Sequence, residues 1–505
     1  MMNTLKFSLL ILFCCGLTAC SKKKDPVVEP TKPLQTNLEG IDLKLGMNLV
    51  GIITDAKTKQ PLKGVAVSDG YSVVQTDEKG VYQLSRSANA RFVHYVIPAI
   101  AKVQMKDGLP DFYAKIDKQQ AIFRQDFALE MLENGIEKDF TLYAIADPQV
   151  RTNTDLGRFQ KESMADINNS AKTHSNVYGL MLGDIIYDAP SLLQPMKTSV
   201  KSDHIKLFPV IGNHDHLQTT NNDFDAIMGY EDVFGPVNYS FDRGNAHIVV
   251  MDDVLYTGQQ NYTAGFTEQQ IKWLRDDLKF VDKEKLLILA VHIPLRNGSS
   301  VARLKDAQAL MSEFKEVHVM SGHTHYNENV LVSANTYEHV HAAACGAWWT
   351  GTINADGTPN GYGVYQISDK TISNWYYKST NFDKNYQIRM YPAFSFGDLS
   401  GYVTANIWNV DDTWKVEFFE NDVKTGDMSR MEDYDKAAYQ FFKGLGKTEP
   451  ATPNTSTTWF RRPDHIFHYR PQNASAKYMV KATDRFGNVY QQTQMISGLS
   501  AFLNY

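Results

Sequence analysis

The pattern of hydrophobic and polar positions changes twice along the chain and divides most of it into three regions. In the first region, residues 46–137, short apolar runs such as 50–55 and 81–84 alternate with turns rich in Gly, Pro and Asp. Short strands separated by frequent turns are typical of an antiparallel sandwich. This region is therefore predicted to form a small β-sandwich.

The second region, residues 138–378, alternates strand patterns with helical ones. From Phe159 to Ala171, apolar and small residues recur every four positions, as on one face of a helix, and Thr267 begins a second helix with a capping box. Apolar runs that predict strands lie at 140–146, 177–182, 205–211, 247–251, 286–291 and 317–320. The alternation predicts an α/β domain, a layered β-sandwich core flanked by helices, with sites at the strand ends.

The third region, residues 379–505, returns to strand patterns, as at 402–408 and 477–483, with one helical stretch at 434–442. We predict a C-terminal β-rich domain, for which an Ig-like sandwich is one candidate. The first region resembles a carboxypeptidase regulatory-type domain, which is an accessory module, and its residues do not point to chemistry.

The first 45 residues have the pattern of an exported lipoprotein. Lys6 precedes an apolar run at 7–17 that is too short to span the roughly 30 Å hydrocarbon core of a bilayer. The segment ends in Leu-Thr-Ala-Cys, which resembles a bacterial lipobox. We therefore expect a signal peptide at 1–19, a lipid on Cys20 and a tether at 20–45, which would anchor the protein in the cell envelope as a periplasmic or outer-membrane lipoprotein. The alternative is an ordinary cleaved signal that leaves Cys20 free.

Composition and charge exclude several classes of protein. The chain has 505 residues, 43% hydrophobic and 21% charged, which excludes a disordered, collagen-like or polytopic membrane protein. The net charge is −6, and the 51 Lys and Arg residues are spread along the chain, so they form no nucleic-acid-binding footprint. Three of the four cysteines lie before residue 21, so Cys345 is the only other thiol and no intramolecular disulfide is expected once Cys20 is blocked.

Polar residues with metal-binding side chains follow five of the strand runs in the second region. One such residue would be unremarkable, because Asp and Asn favour turns, but five strand ends in chain order are hard to explain in this way. Carboxylate, amide and imidazole groups suit divalent Zn, Fe or Mn. The strand ends carry Asp147 with Gln149, Asp184, Asn213 with His214 and Asp215, His292, and His323 with His325.

These motifs resemble the signature of the calcineurin-like metallophosphoesterase superfamily, which is an Asp-x-His, a Gly-Asp, a Gly-Asn-His-Asp or -Glu, a lone His and a Gly-His-x-His. The resemblance covers residues 139–375 and implies a hydrolase acting on phosphoric ester bonds with two divalent metal ions. The softer patterns on either side resemble the extensions of a group of bacterial members. By this likeness one ion is held by Asp147, Gln149, Asp184 and His325, and the other by Asp184, Asn213, His292 and His323.

The resemblance also implies catalytic roles. Two cations about 3.5–4 Å apart share and deprotonate a water that attacks phosphorus. His214 is implied as the donor to phosphate or to the leaving-group oxygen, and Asp215 as the carboxylate that orients its imidazole. Gln149 departs from the pattern, which usually has His there. Because an amide is a weaker ligand than imidazole, we expect that ion to bind less tightly and to be Mn or Fe rather than Zn.

Other residues are candidates for contact with the substrate. Trp348 and Trp349 are a candidate aromatic wall for its organic part, with core packing as the alternative. Arg296 is a candidate to neutralise phosphate, with a solvated loop arginine as the alternative. His216 is a less favoured candidate.

Two functions from different classes follow from the sequence. The first is an envelope-anchored phosphoesterase that hydrolyses phosphate mono- or diesters, and the motifs do not separate these substrates. The second is a binding or structural lipoprotein that kept the fold and lost catalysis. Every expected ligand except a histidine at position 149 is present, which favours the enzyme. The oligomeric state is left open.

Overall fold

The computed structural model describes residues 38–393, 399–452 and 456–493. The predicted signal peptide, the lipid attachment at Cys20 and most of the predicted tether lie outside the described residues. Within those ranges, no helix is both long enough and apolar enough to cross a membrane. The described chain is a mixed α/β protein with β-rich regions on both sides of the central domain, as the sequence predicted.

The N-terminal region is built from short strands in two small sheets. The strands are β1 (Leu49–Asp55), β2 (Ala66–Ser68), β3 (Val73–Gln75), β4 (Val81–Leu84), β5 (Phe92–Tyr95), β6 (Met105–Lys106), β7 (Leu109–Pro110), β8 (Tyr113–Lys115), β9 (Phe123–Arg124) and β10 (Phe127–Leu129). One sheet has the order β10–β1–β4, with β9 also paired to β1, and the other has the order β3–β2–β5–β8. The first sheet is mixed rather than purely antiparallel, because β1 pairs in parallel with β9 and β10.

The central domain is a sandwich of two larger sheets. Its strands are β11 (Asp139–Ile145), β12 (Val177–Leu182), β13 (Lys206–Val210), β14 (Tyr239–Arg243), β15 (Ala246–Val250), β16 (Val254–Gly258), β17 (Asn261–Ala264), β18 (Leu286–Ala290), β19 (Glu316–Ser321), β20 (Glu328–Ser333), β21 (Thr336–Val340), β22 (Gly361–Ser368) and β23 (Thr371–Ser379). The first sheet has the order β13–β12–β11–β22–β23 and the second the order β14–β15–β18–β19–β21–β20. The strands β16 and β17 form a separate hairpin.

Parallel strands bring their carboxyl ends to one edge of this sandwich. The strands β11, β12 and β13 run parallel in the first sheet, and β15, β18, β19 and β21 run parallel in the second. Both β12 and β18 are buried at every position, as expected for strands covered on both faces. The six strands predicted here are present, with each end within one residue of its predicted position.

Helices cover the outer faces of both sheets. They are α1 (Asn153–Arg158), a π-helical turn (Phe159–Met164), α2 (Ala165–Ala171), α3 (Leu193–Ser199), α4 (Asp223–Ala226), α5 (Met228–Phe234), α6 (Glu268–Leu278) and α7 (Leu304–Met311), with short 3₁₀ turns at Pro190–Leu192, Asn213–Asp215 and Leu295–Ser300. The predicted helical face from Phe159 to Ala171 is buried, although the π turn interrupts the α-helix. The helix α6 has the predicted capping box between Thr267 and Gln270.

The C-terminal region is a second sandwich of two four-stranded sheets. Its elements are β24 (Arg389–Tyr391), β25 (Val403–Asn406), β26 (Lys415–Glu420), β27 (Val423–Asp427), β28 (Ser429–Met431), α8 (Lys436–Gly444), β29 (Ile466–Tyr469), β30 (Tyr478–Thr483) and β31 (Val489–Gln492). The sheets have the orders β24–β25–β29–β28 and β27–β26–β30–β31. The helix predicted at 434–442 is α8, which Asp435 caps by accepting from the Ala438 amide.

The N-terminal sandwich shares its core with the central domain. Phe112 packs against Tyr239 of β14, with ring centroids 5.0 Å apart. Arg243, at the end of β14, is fully buried and donates to the carbonyl oxygens of Pro98 and Ala101, at 2.9 Å each. A charged side chain in the central domain is therefore satisfied by the backbone of the N-terminal region.

Candidate metal centre

The loops after five strands meet at one edge of the central sandwich and carry the predicted metal ligands. Asp147, Asp184 and His323, which follow β11, β12 and β19, have positive φ angles of 50°, 50° and 69°. The left-handed region is uncommon for residues other than Gly and costs on the order of 1–3 kcal/mol, and such strain concentrates at functional sites. Asn213 follows β13, and His292 follows β18.

Two glycines in these loops allow the ligand residues to approach one another. A Cβ added at Gly322 would lie 2.5 Å from Oδ2 of Asp147, and one added at Gly212 would overlap the carboxylate of Asp184. Neither position has room for a Cβ atom, so the loops would have to move apart to accept a side chain. Glycine at positions 212 and 322 therefore allows the loops of the predicted ligand motifs to pack closely.

The Asp184 carboxylate lies between two groups of ligand residues. Its Oδ1 atom is 3.2 Å from Nε2 of His292 and accepts from the His214 amide at 2.9 Å. Its Oδ2 atom accepts from Nε2 of Gln149 at 2.8 Å. Burial would raise the pKa of Asp184, but the charge and hydrogen bond of His292 outweigh it and lower the pKa below its ordinary value.

The first group consists of Asp147, Gln149 and His325. Nε2 of His325 lies 3.5 Å from Oδ1 of Asp147, and the other oxygen of Asp147 accepts from the His323 amide at 2.8 Å. Three buried atoms here have no hydrogen-bond partner, namely Asp147 Oδ1, Gln149 Oε1 and His325 Nδ1. Buried polar atoms are normally hydrogen-bonded. Unpaired oxygen and nitrogen atoms of the kinds that coordinate metals therefore fit a divalent ion at this position.

The second group consists of Asn213, His292 and His323. Nε2 of His292 is 3.1 Å from Oδ1 of Asn213 and 3.2 Å from Nδ1 of His323. The other ring nitrogen of His292 donates to the Leu182 carbonyl at 2.8 Å, so Nε2 is the nitrogen that could coordinate an ion. Donor atoms of Asp184, His292 and His323 all lie within 4.8 Å of one another, which fits a second divalent ion.

The two histidines of the second group have opposite pKa shifts. The charge of Asp184 outweighs burial and raises the pKa of His292 to about 10, whereas burial and the charge of His292 lower the pKa of His323 to about 4. Asp253, which sequence reasoning missed, holds the His292 loop by accepting from the His292 amide at 3.0 Å and the Ile293 amide at 3.1 Å. Its position just after the run at 247–251 was the available signal.

The predicted pairing of Asp215 with His214 is wrong. Nδ1 of His214 bonds instead to Oδ1 of Asp188 at 2.9 Å. The Asp215 carboxylate accepts from the amides of Gly212, Ile185 and Ile186, because Asp215 closes the 3₁₀ turn that starts after Gly212 and so faces back into the loop. Asp215 therefore holds the loops of β12 and β13 together.

Asp188 and Tyr187 form the surroundings of His214. The hydrogen bond to Asp188 and the charge of Asp184 outweigh burial and raise the pKa of His214. The imidazole stacks on Tyr187, with ring centroids 4.0 Å apart and an interplanar angle of 22°. The sequence signal for Asp188 was a second carboxylate in the loop that carries Asp184.

The paired tryptophans have different environments. Trp348 is half-buried and stacks on the candidate ligand His325, with ring centroids 4.7 Å apart. Its other neighbour is Trp459 of the C-terminal region, at 4.5 Å. Trp349 is buried, faces Phe159 and donates from Nε1 to the Pro148 carbonyl at 2.8 Å. Trp348 thus lines the site, while Trp349 packs in the core.

The predicted phosphate contact of Arg296 finds no support in its surroundings, because its guanidinium is paired with Glu328. Arg151, which sequence reasoning missed, contacts two residues that surround the site. It is exposed, stacks over Tyr187 at 5.4 Å and donates to the Trp348 carbonyl at 3.3 Å. Its position two residues after Gln149 was the available signal.

Three family models match successive parts of the chain. The N terminal of calcineurin-like phosphoesterase matches residues 47–132, calcineurin-like phosphoesterase matches 140–327, and the C terminal of calcineurin-like phosphoesterase matches 338–490. The middle range includes all of the predicted metal ligands. No curated protein matches the chain.

Several solved structures are similar to the chain. A dimetal phosphatase from Danio rerio is 15% identical, with 48% of this chain and 96% of that chain covered and a TM-score of 0.36. The structure of PhoD is 9% identical, with 86% of each chain covered and a TM-score of 0.33. A 5'-nucleotidase from Candida albicans is 12% identical, with 45% of this chain and 47% of that chain covered and a TM-score of 0.29.

Proposed function

The chain belongs to the calcineurin-like phosphoesterase family, and from this premise we propose that it hydrolyses phosphate mono- or diesters at a centre of two divalent metal ions. The observation that carries the proposal is the position of Asp184, whose two carboxylate oxygens face different groups of ligand residues. A carboxylate in this position can bridge two cations and reduce their mutual repulsion.

The ligand residues divide between two ions. One ion would be held by Asp147, Gln149, Asp184 and His325, and the other by Asp184, Asn213, His292 and His323. When bound, such a pair supplies Lewis acidity for the phosphate oxygens and for water. The unpaired amide oxygen of Gln149 supports its place among the ligands, because the amide nitrogen is already used by Asp184. We propose Mn or Fe rather than Zn for the first ion.

We propose that His214 donates a proton to the leaving-group oxygen. Its Nδ1 atom is held by Asp188, so Nε2 is the nitrogen available to the substrate. The stack on Tyr187 fixes the plane of the ring, and the amide of His214 is tied to Asp184. These contacts support a proton donor with a fixed orientation beside the metal ligands.

We propose that the organic part of the substrate contacts Trp348 and that Arg151 attracts its phosphate. Trp348 stacks on His325, and Arg151 lies over the ring of Tyr187. The indole of Trp459 extends the aromatic surface beyond Trp348. An exposed guanidinium can pair with phosphate at small cost in desolvation. The C-terminal region would then help to select the substrate.

The site can be tested with a panel of phosphate monoesters, diesters and pyrophosphates, with Mn²⁺ supplied. We expect hydrolysis by the wild type, loss of bound metal and activity in Asp184→Asn, and a loss of about 10²–10⁴-fold in kcat with metal retained in His214→Ala. Asp203→Asn, which neutralises an exposed carboxylate, is the control and should be unchanged. If loaded wild type hydrolyses none of these compounds, the alternative of a binding or structural protein is favoured.

We also propose that the protein is anchored in the cell envelope through a lipid on Cys20. The support is the lipobox-like sequence that ends at Cys20 and the polar, proline-containing stretch that follows it. The test is fractionation of cells that produce the full chain or Cys20→Ser. We expect the wild type with the membranes and the variant in the soluble fraction, and equal distribution would contradict the proposal.

A further inference from the structure

A third cluster of ligand-type side chains lies apart from the proposed dinuclear centre. It consists of His216, after the turn that carries Asn213 and His214, Asp223 at the start of α4, and Asp252 after β15. One donor atom from each residue lies within 4.8 Å of the others. His216 is only 1% exposed and Asp252 only 4% exposed, so the cluster is not a surface group of acids.

The imidazole of His216 has an unpaired nitrogen directed at this cluster. Its Nδ1 atom donates to the Gly212 carbonyl at 2.8 Å, so in the neutral ring Nε2 carries the lone pair. Nε2 has no hydrogen-bond partner, and the nearest carboxylate oxygen, Oδ2 of Asp252, is 3.7 Å away, which is too far for a hydrogen bond. A lone pair that faces a carboxylate across this gap requires either a proton or a cation between them.

The two carboxylates are held in place but not neutralised. Asp252 accepts from the Val254 amide through Oδ1 at 2.9 Å, which leaves Oδ2 towards His216, and Asp223 accepts from the Tyr256 amide at 2.8 Å. Burial and the charge of Asp252 raise the pKa of Asp223 to about 6. Two acids and an imidazole are therefore oriented by backbone amides and a carbonyl, as metal ligands commonly are.

The surroundings of the cluster carry an excess of negative charge. Asp223 and Asp252 line a cavity of about 310 Å³ between the N-terminal sandwich and the central domain. Asp69 and Glu231 also line it, and Arg91 is the one arginine or lysine among the described residues in its wall. Arg91 is already paired with Glu231 at 2.6 Å. The cavity therefore favours a bound cation.

We propose that His216, Asp223 and Asp252 bind a third divalent transition-metal ion, separate from the two ions of the proposed catalytic centre. One imidazole and two carboxylates suit Zn²⁺, Mn²⁺ or Fe²⁺, because the nitrogen ligand disfavours Mg²⁺ and Ca²⁺. The ion would join the turn that ends at His216, the start of α4 and the loop after β15. Because His216 is tied to the Gly212 carbonyl, the ion would also brace the loop that carries Asn213 and His214.

The experiment is to count metal ions per chain by mass spectrometry after the full chain is dialysed against Mn²⁺ or Zn²⁺. We expect three ions in the wild type and two in Asp223→Asn/Asp252→Asn. Asp225→Asn, an exposed carboxylate on the same helix, should keep three. If the double variant binds as many ions as the wild type, the proposal is overturned and a proton on His216 is the occupant.

Two further measurements separate this site from the catalytic centre and from misfolding. Asp184→Asn should lose catalytic ions and keep the ion at His216. An ion that is retained in Asp184→Asn but lost in Asp223→Asn/Asp252→Asn supports the third site, even if the dinuclear proposal fails. The unfolding temperature should rise with Zn²⁺ in Asp184→Asn but not in Asp184→Asn/His216→Gln. An equal rise in both would overturn the third site, and His216→Gln replaces the double variant if that does not fold.

Discussion

The carboxylate of Asp188 lies 2.9 Å from Nδ1 of His214 and holds the imidazole whose other nitrogen is available to the substrate. A carboxylate in this position raises the pKa of the ring, because it favours the charged form. Asp188 is thus a positioning residue for the proposed proton donor. It lies in the loop that also carries Asp184, so the loop after β12 serves both the metal ligands and the proton donor.

Asp188→Asn should lower kcat by about tenfold or more, since a proton donor contributes about 10²–10⁴-fold in all. The pKa of His214 should fall, so the alkaline limb of the kcat profile should move to lower pH. Asp215→Asn is the matched comparison, because it should lower the free energy of unfolding by about 1–3 kcal/mol through unpaired amides and leave that limb in place. A moved limb in Asp215→Asn alone would contradict the assignment.

Gln149→His should tighten binding of the first ion and shift its preference towards Zn²⁺, because imidazole is a stronger ligand than an amide oxygen. Gln149→Ala should weaken binding, since it removes both the unpaired oxygen and the hydrogen bond to Asp184. Calorimetric titration of metal-free protein with Mn²⁺ and Zn²⁺ measures both effects. Equal affinities in all three proteins would show that Gln149 is not a ligand.

The two tryptophans should respond differently to truncation. Trp348→Ala should raise KM for substrates with a large organic group and leave the free energy of unfolding nearly unchanged. Trp349→Ala should cost about 3–5 kcal/mol of that free energy, because it empties a buried site beside Phe159. Steady-state kinetics and urea unfolding of both variants test this difference, and a KM effect confined to Trp349→Ala would reverse the roles.

A buried histidine of β15 should make stability fall in alkaline solution. His247 bonds to Asp242 at 2.7 Å and Asp277 at 2.9 Å, and these carboxylates outweigh burial and raise its pKa to about 9. The pKa is higher in the folded chain, so this stabilisation is complete below the ordinary pKa of 6.5 and is lost as the pH rises through about 9. The decline in unfolding free energy between pH 6.5 and about pH 9 should be smaller in His247→Gln than in the wild type. Parallel plots of unfolding free energy against pH for the two proteins would contradict this role of His247.

Local patterns were sufficient for the strands of the central domain and for placing most of the candidate ligands at their ends. Apolar runs such as β12 and β18 are buried on both faces, so each strand ends where polar residues begin. The candidate ligands follow directly after these strand ends. Parallel pairing of β11 with β12 then places Asp147 beside Asp184, and pairing of β18 with β19 places His292 beside His323, whereas the meeting of these two pairs depends on how the two sheets pack.

The contacts between loops could not be predicted in the same way. Whether Asp188 or Asp215 meets His214 depends on the path of a turn, and both are acids close to it in the folded chain. Trp348 and Trp349 are adjacent and identical, but their side chains point to different neighbours. These choices are made by tertiary packing, which local propensity does not contain.

The burial of Arg243 has a consequence for how the protein can be divided. Its guanidinium donates to the carbonyl oxygens of residues 98 and 101, and one apolar core runs through the N-terminal sandwich and the central strands, so deletion of the sandwich would remove both acceptors and expose apolar surface. A fragment that begins at β11 is therefore expected to aggregate or to fold only partly. The apparent accessory module and the hydrolase core should unfold in a single cooperative transition.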